Sequence, residues 1–224
     1  RDSTLALYLP LWHPKNTGSP ITSSDLNAHI ATVLGAIWTP NGRSFDGVDD
    51  NVSLGNVASL NFERTDAFSG MAWAKRTVNG AGQIVIGKRM NSGNYPGWNM
   101  VFLSTNKMGL ELANNVFTSN YISVITSQTF TDTAAFVCIG FTYSGSSAAS
   151  GVTLYVNGLA VATTVDTNGL TATMQTTASV ALGTRNAEAA VQFTGTIGEA
   201  WLWTGVASAA RMTQNYQATR WRYS

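Results

Sequence analysis

Charged side chains are scarce in this sequence of 224 residues. Lysine, arginine, aspartate and glutamate make up 11% of it, whereas an average globular domain has roughly 25%. The formal net charge is only +1, and no basic stripe of the kind that binds nucleic acid is present. The densest basic segment, Arg220 and Arg222 on either side of Trp221, is interpreted as a solvated tail. We therefore expect no nucleic acid among the partners.

Cysteine and long apolar runs are equally scarce. Cys138 is the single cysteine, so no intrachain disulfide can form, and its apolar context AAFVCIGF predicts an inert, buried thiol. No apolar run approaches the roughly 18 residues of a membrane span, and no signal peptide is recognisable. We expect no membrane insertion. Because the chain starts at Arg1 rather than at methionine, we also expect it to be part of a longer protein, joined to other domains or assembled in a larger particle.

Short β-like runs are abundant instead. Apolar or alternating segments bounded by Gly, Asn, Ser or Pro are typical of strands. Such segments lie at residues 5–12, 68–75, 82–88, 98–104, 108–113, 135–143, 179–184 and 196–203.

Turn and cap residues complete the pattern. In TLYVNGLAVAT, the dipeptide Asn157-Gly158 predicts a hairpin, because both central residues of a type I′ turn need positive φ. One short helix is predicted over residues 208–216, with Ser208 as its N-cap. No linker-like stretch divides the chain. The sequence therefore predicts one all-β domain over residues 1–224, with two antiparallel sheets in a jelly-roll sandwich and one short C-terminal helix.

Several segments resemble a known family. FDGVDDNVSLG (residues 45–55), FSGMAWAKR (68–76), QIVIGK (83–88), GVTLYVNGLAV (151–161) and FTGTIGEAWLW (193–203) are similar, in this order, to segments of laminin-G-like and pentraxin-like domains. These domains belong to the concanavalin A-like lectin/glucanase superfamily. The resemblance spans about residues 43–216 and implies a concanavalin A-like sandwich. The fold hosts lectins, carbohydrate-binding modules, adhesion domains, glucanases and structural inserts, so it implies no single function.

Two positions depart from the family pattern. Gly198 stands before Glu199 where the family often has aspartate, which removes a carboxylate that could support a cation or a buried hydrogen-bond network. Arg211 stands where the acid of a helix capping box would be, and this weakens the helix terminus.

Catalytic side chains are few. Retaining hydrolysis of a glycosidic bond needs two carboxylates about 5 Å apart, and the resemblance implies that a glucanase of this superfamily carries its acids in an E-x-D-x-x-E pattern. None of the four glutamates begins that pattern; they are Glu63, Glu111, Glu188 and Glu199. His13 and His29 belong to no Ser-His-acid arrangement. We expect a protein that is not an enzyme and has no catalytic residues.

The only tight acidic cluster lies in RSFDGVDDNVSLG, residues 43–55, where Asp46, Asp49 and Asp50 fall within five residues. Calcium takes six to eight oxygen ligands, and a loop with several aspartates can supply some of them. Asp46 and Asp49 are the expected ligands of a structural calcium ion. The alternative is that the aspartates only satisfy backbone N–H groups at a turn, as short acids beside glycine often do.

A second candidate site is the loop NSGNYPGWN, residues 91–99. Aromatic faces stack on the apolar faces of sugar rings, and amides bond the hydroxyl groups. Tyr95 and Trp98 would supply the rings, and Asn94 and Asn99 the amides, of a glycan site. The alternative is that Trp98 begins the next strand and packs inward.

Other aromatic and amide residues give less specific signals. A similar but weaker combination consists of Asn114, Asn115, Asn120 and Tyr121. Strand-like alternation places four tryptophans in the core: Trp38, Trp73, Trp201 and Trp203.

The sequence favours a non-catalytic, lectin-like carbohydrate-binding module of a secreted or surface protein, with a glycan or another surface protein as its partner. The alternative is a structural, adhesion or virus-particle decoration domain without a sugar site. A glucanase is the third and least supported function. Each of the first two predicts an extracellular, cell-surface or virion location.

Overall fold

The protein is a sandwich of two antiparallel sheets, as a computed structural model describes it for residues 2–186 and 189–224. This confirms the predicted fold class. In chain order the strands are β1 (Leu5–Pro10), β2 (Ile21–Thr22), β3 (Ile30–Leu34), β4 (Ile37–Thr39), β5 (Gly42–Asp46), β6 (Asn51–Gly55), β7 (Phe68–Arg76), β8 (Gln83–Arg89), β9 (Gly97–Phe102), β10 (Met108–Asn115), β11 (Asn120–Thr126), β12 (Val137–Tyr143), β13 (Val152–Val156), β14 (Leu159–Ala160), β15 (Thr163–Asn168), β16 (Val180–Leu182) and β17 (Thr194–Thr204).

Helical structure is limited to short segments. The α-helix α1 covers Ala209–Thr219, and within the described ranges no helix has the length and apolarity that a membrane crossing requires. Single 3-10 turns lie at Pro14–Asn16, Ala58–Leu60, Val116–Thr118, Ala149–Gly151, Ala189–Val191 and Arg220–Arg222.

The long strand β17 organises the eight-stranded sheet. The strand order is β14-β13-β12-β7-β17-β5-β4, and β1 also pairs with β17. One edge of β17 pairs with β7, while the other pairs first with β5 and then with β1. The register shifts between Ile197 and Glu199, so Gly198 lies at an irregularity in this central strand.

The nine-stranded sheet has the order β15-β11-β10-β9-β8-β16-β6-β3-β2. Between the two sheets lies the main core, in which Phe68 packs against Phe62 at 4.3 Å, Trp98 at 5.5 Å and Phe141 at 5.3 Å between ring centroids. Strands β7, β9 and β12 therefore contribute the aromatic centre of the sandwich.

The predicted turn and helix cap are both present. Asn157 and Gly158 have φ of 50° and 78°, as a type I′ turn requires. The Ser208 hydroxyl accepts a hydrogen bond from the Arg211 backbone N–H at 3.2 Å and caps α1. The Arg211 side chain is paired with Asp2 at 2.8 Å instead of completing a capping box.

A second apolar cluster covers the outer face of the eight-stranded sheet beneath α1 and the C-terminal turn. Trp73, Trp201, Trp203 and Cys138 are all buried in it, which confirms their predicted burial. Trp201 and Trp203 stack with centroids 6.5 Å apart. The prediction that Trp38 lies in the core is wrong, because Trp38 lies on the edge strand β4 and is only half-buried.

Every predicted strand is present, with ends shifted by up to two residues. The sequence prediction missed β2 to β6, β11 and β15. These strands are short, or lie at sheet edges, or carry many polar residues, so their apolar periodicity is weak.

Candidate functional site

The three aspartates meet at the turn between β5 and β6. One carboxylate oxygen from each of Asp46, Asp49 and Asp50 lies within 4.8 Å of the others. Asp46 Oδ1 accepts from the Val48 backbone N–H at 2.8 Å, and Asp50 Oδ2 accepts from the Asp46 backbone N–H at 2.9 Å. Asp46 and Asp50 therefore satisfy backbone donors at the turn, as the alternative interpretation requires.

The same cluster contains the type of ligand that calcium binds. Asp46 and Asp49 are exposed, whereas Asp50 is buried. Burial raises the pKa of Asp50, the backbone bond from Asp46 opposes this, and the charges of Asp46 and Asp49 raise the pKa further. A bound cation would relieve this repulsion. Three carboxylates fit a hard cation in charge and atom type, although carbonyls or water must supply the remaining ligands.

The structure corrects the prediction for Trp98 and Asn99. Trp98 is 1% exposed within the main core, so its ring has no face available to a sugar. Asn99 is fully buried, and it bonds to Arg89 and to Glu111 at 3.0 Å each. The alternative, in which Trp98 packs inward, describes the observed position.

Tyr95 and Asn94 remain at the surface. Tyr95 has a positive φ of 58°, and its ring lies 4.9 Å from the Arg185 guanidinium and 5.9 Å from the Phe117 ring. The Asn94 carbonyl accepts from the Val116 backbone N–H at 3.2 Å. The structure thus joins the 91–99 loop to the turn that follows Asn115.

The other amides singled out in the sequence have structural partners. Asn115 Oδ1 accepts from the Phe117 backbone N–H at 3.0 Å, Asn114 donates to the Thr173 carbonyl, and Asn120 bonds with Thr171. Their hydrogen-bonding capacity is largely used within the chain.

The C-terminal segment is held against the sheet by Arg222 and Tyr223, which corrects its interpretation as a free tail. Arg220 and Trp221 are exposed, as that interpretation expected. Glu199 is fully buried on β17. Arg222 donates to Glu199 Oε1 at 2.8 Å and the Tyr223 hydroxyl donates to the same oxygen at 3.1 Å. Oε2 accepts from the Tyr8 hydroxyl at 2.7 Å and from Trp12 Nε1 at 3.2 Å. This network fixes the chain end against the eight-stranded sheet.

An open cavity of about 580 Å³ lies between this segment and the sheet. We call it the Trp221 groove, and its lining residues are Trp73, Ala135, Phe136, Asn157, Tyr216, Arg220, Trp221, Tyr223 and Ser224. Its volume lies within the range of roughly 300–1,000 Å³ that small-molecule sites have.

The floor of the Trp221 groove is a stack of rings. The Trp73 ring centroid lies 4.5 Å from Tyr223 and 5.6 Å from Tyr216, and Phe136 packs against Tyr223 at 4.9 Å. Trp73 Nε1 donates to the Thr219 hydroxyl at 2.8 Å. The polar atoms of Trp73 and Tyr223 are thus bonded within the protein, which fixes both rings.

Trp221 forms the exposed wall. It is 68% exposed, and its Nε1 donates to the Ala218 carbonyl at 3.0 Å. This bond holds the indole in place. The Arg222 guanidinium lies over the ring, 4.7 Å from its centre, and the remaining carbon surface faces solvent. In the described parts of the chain, three polar groups beside it have no hydrogen-bond partner: the Tyr216 hydroxyl, Asn157 Nδ2 and the Arg220 guanidinium. The groove therefore offers ring surfaces together with free polar groups.

The sequence prediction missed this groove. Its one local signal is the density of aromatic residues near the chain end, Tyr216, Trp221 and Tyr223. The other wall comes from β7 and the 127–136 loop, which are distant in sequence.

The three described glutamates all have protein partners. Glu63 bonds to the Thr173 hydroxyl and the Met174 N–H, Glu111 pairs with Arg89, and Glu199 lies in the network above. Glu188 lies outside the described residues.

Residues 46–212 match the model of a laminin G family, which is described as part of the concanavalin A-like lectin/glucanases superfamily. A comparison with curated proteins found no match.

Solved structures share the fold at low sequence identity. A mutant of Trypanosoma rangeli sialidase displaying trans-sialidase activity has a TM-score of 0.70 and 14% identity, over 99% of this chain and 34% of that chain. The binding domain of Paraclostridial Mosquitocidal Protein 1 has a TM-score of 0.69 and 14% identity, over 96% and 52%. This chain thus spans about a third of the sialidase chain and about half of the mosquitocidal one.

A third solved structure is similar along nearly its whole length. Domain 4 of AbnA, an extracellular arabinanase from Geobacillus stearothermophilus, in complex with arabinotriose, has a TM-score of 0.67 and 14% identity. The match covers 96% of this chain and 98% of that one.

Proposed function

The chain belongs to the laminin G family of the concanavalin A-like lectin/glucanase superfamily, and from this premise we propose that it is a non-catalytic carbohydrate-binding module. The glycan lies in the Trp221 groove, against the exposed indole. We further propose that the module acts in a secreted or surface-exposed protein.

One observation carries the proposal: Trp221 is 68% exposed, yet its only polar atom is bonded to the Ala218 carbonyl. The indole lines the same groove as the rings of Tyr216 and Tyr223, and contiguous exposed apolar surface of this kind is typical of a binding site. Pyranose and furanose rings have apolar faces that stack on such a surface, and their hydroxyl groups can bond to Tyr216 and Asn157.

Similar folds support a carbohydrate ligand. The arabinanase domain is in complex with arabinotriose, and the mosquitocidal chain is a binding domain. At 14% identity these structures share the fold with this chain, so the choice of glycan rests on its own residues.

A glycan array followed by titration calorimetry on its best hits tests the proposal. Trp221→Ala should weaken binding by about tenfold or more, equivalent to about 1.4 kcal/mol of lost stacking. Because Trp221 is mostly exposed, the melting temperature of the Trp221→Ala protein should change little. Tyr95→Ala, in the loop that the sequence favoured, is the matched control and should retain affinity.

The opposite results are equally informative. If Tyr95→Ala abolishes binding and Trp221→Ala does not, the glycan lies at the 91–99 loop and the Trp221 groove is not the site. An array without hits would favour the structural or adhesion function instead.

A further inference from the structure

The Trp221 groove continues into a second depression. This neighbouring cavity, of about 410 Å³, shares Ala135, Phe136 and Asn157 with the Trp221 groove. Its other lining residues are Gln128, Thr129, Phe130, Thr131, Asp132, Val137 and Val156. The two depressions therefore meet at Phe136 and form one elongated surface.

The far end of this surface is suited to hydroxyl groups. Gln128, Thr129 and Thr131 are exposed, and in the described residues their side chains make no hydrogen bond. The Asp132 carboxylate lies at the same end and accepts from the Ala134 N–H at 2.7 Å. The amide and hydroxyl groups at this end bond well to the hydroxyl groups that acidic and neutral sugars share.

The Trp221 end is cationic. Arg220 has no hydrogen bond or ion pair within the described residues, whereas six other arginines bond to protein atoms: Arg43, Arg64, Arg76, Arg89, Arg211 and Arg222. Lys75 lies with its ammonium 5.3 Å from the centre of the Phe136 ring, and likewise has no acidic partner in those ranges. Arg220 lines the same groove as the aromatic rings, and a guanidinium matches a carboxylate in both charge and geometry.

We propose that the groove binds an acidic oligosaccharide, with a uronate carboxylate at Arg220. The uronate ring stacks on Trp221, and the following sugar residues cross Phe136 towards Gln128 and Thr129. This inference rests on the proposed function and names its substrate class. Because the groove continues into a second depression, the ligand is a chain of several sugars rather than a single one.

Titration calorimetry with tetragalacturonate and with the neutral maltotetraose tests the charge preference. At low salt, tetragalacturonate should bind about tenfold tighter or more, and added NaCl should reduce this advantage because it screens exposed charges. Arg220→Gln should remove the preference, because it removes the charge that binds the carboxylate. Arg211→Gln, which removes the same charge at a partly exposed position paired with Asp2, is the matched control and should keep the preference.

Comparing oligosaccharides of different length tests whether the ligand reaches the second depression. Gln128→Ala should weaken binding of tetragalacturonate while leaving digalacturonate unaffected, since only the longer chain reaches Gln128. Equal effects on both would overturn the extended binding mode.

The outcomes separate the two proposals. If both tetrasaccharides bind equally and depend on Trp221, carbohydrate binding stands and the acidic specificity is wrong. A preference that survives Arg220→Gln also overturns the assignment of the carboxylate. If neither tetrasaccharide binds the unmodified protein, the acidic-glycan inference is wrong, and the array decides the broader function separately.

Discussion

The phenol ring of Tyr223 lies directly against the backbone of Gly198. A Cβ placed at position 198 would lie 2.4 Å from both Cε1 and the hydroxyl oxygen of Tyr223. The Tyr223 hydroxyl in turn donates to the buried Glu199. The family's aspartate is thus replaced by glycine at a position where Tyr223 occupies the space of a side chain.

A side chain at position 198 should therefore destabilise the protein. Gly198→Ala should cost about 1–3 kcal/mol through overpacking. Gly198→Asp should cost more, because it displaces Tyr223 and places a second carboxylate beside Glu199. Urea unfolding measures both changes, and Gly18→Ala, where no atom lies within 4 Å of the new Cβ, is the control. Equal stability of Gly198→Asp and the unmodified protein would contradict the observed packing.

The two tyrosines on Glu199 should make the protein sensitive to alkali. Burial, together with the charge of Glu199 and the hydrogen bonds to it, raises the pKa of Tyr8 and of Tyr223. A tyrosine whose pKa is higher in the folded state than in the unfolded state adds to the free energy of unfolding. This addition is fully present below the unfolded-state pKa of about 10 and is lost as pH rises above it.

Above pH 10, each tyrosine should lower the free energy of unfolding by about 1.4 kcal/mol per pH unit. Tyr8→Phe should reduce this slope, and the double variant with Tyr223→Phe should reduce it further. Urea unfolding at a series of alkaline pH values gives the slope. An unchanged slope in the double variant would show that other groups cause the alkaline loss.

Trp98→Ala should unfold or severely destabilise the protein, because the ring is buried beside Phe68 and Phe141. Large-to-small changes at such positions cost about 3–5 kcal/mol. Trp221→Ala removes the same side chain at an exposed site and should stay within about 0.5 kcal/mol. A Trp98→Ala protein of normal stability would place that residue outside the core.

Calcium at Asp46 and Asp49 stays a prediction that chelation can test. A cation that binds only the native state adds about 2.7 kcal/mol at a hundredfold excess over its Kd. EDTA should then lower the melting temperature, and Asp46→Ala should abolish that effect.

Asp132→Ala is the matched control for the calcium experiment. Asp132 accepts from the backbone N–H two residues ahead, as Asp46 does, so both variants lose the same type of turn bond. Only Asp46→Ala should change the response to EDTA. If EDTA does not change the melting curve of carefully decalcified protein, the aspartates bind no calcium and only accept hydrogen bonds from backbone N–H groups at the turn.

Local sequence signals predicted the fold well. The Asn157-Gly158 turn and the Ser208 cap depend on residues adjacent in the chain, and both have the expected geometry. Strand-like alternation likewise predicted that Trp201 and Trp203 share one face of a strand, and both are buried in the same cluster.

The site was less predictable, because it depends on contacts between distant segments. Trp98 stands where the 91–99 loop meets the predicted strand 98–104, so the sequence left both an exposed and a buried ring open. The structure starts β9 at Gly97 and buries the indole. Trp221 looked like part of a tail, and only the pairing of Arg222 with the buried Glu199 reveals that the segment is held. A single sequence does not encode such pairings in any local pattern.

The exposure of Trp221 makes it a built-in optical reporter. All seven tryptophans lie in the described ranges, and Trp221 alone among them is largely exposed. A neutral quencher such as acrylamide should therefore reduce its emission first, at the long-wavelength edge of the spectrum. Shielding of that fraction would report occupation of the groove without any label.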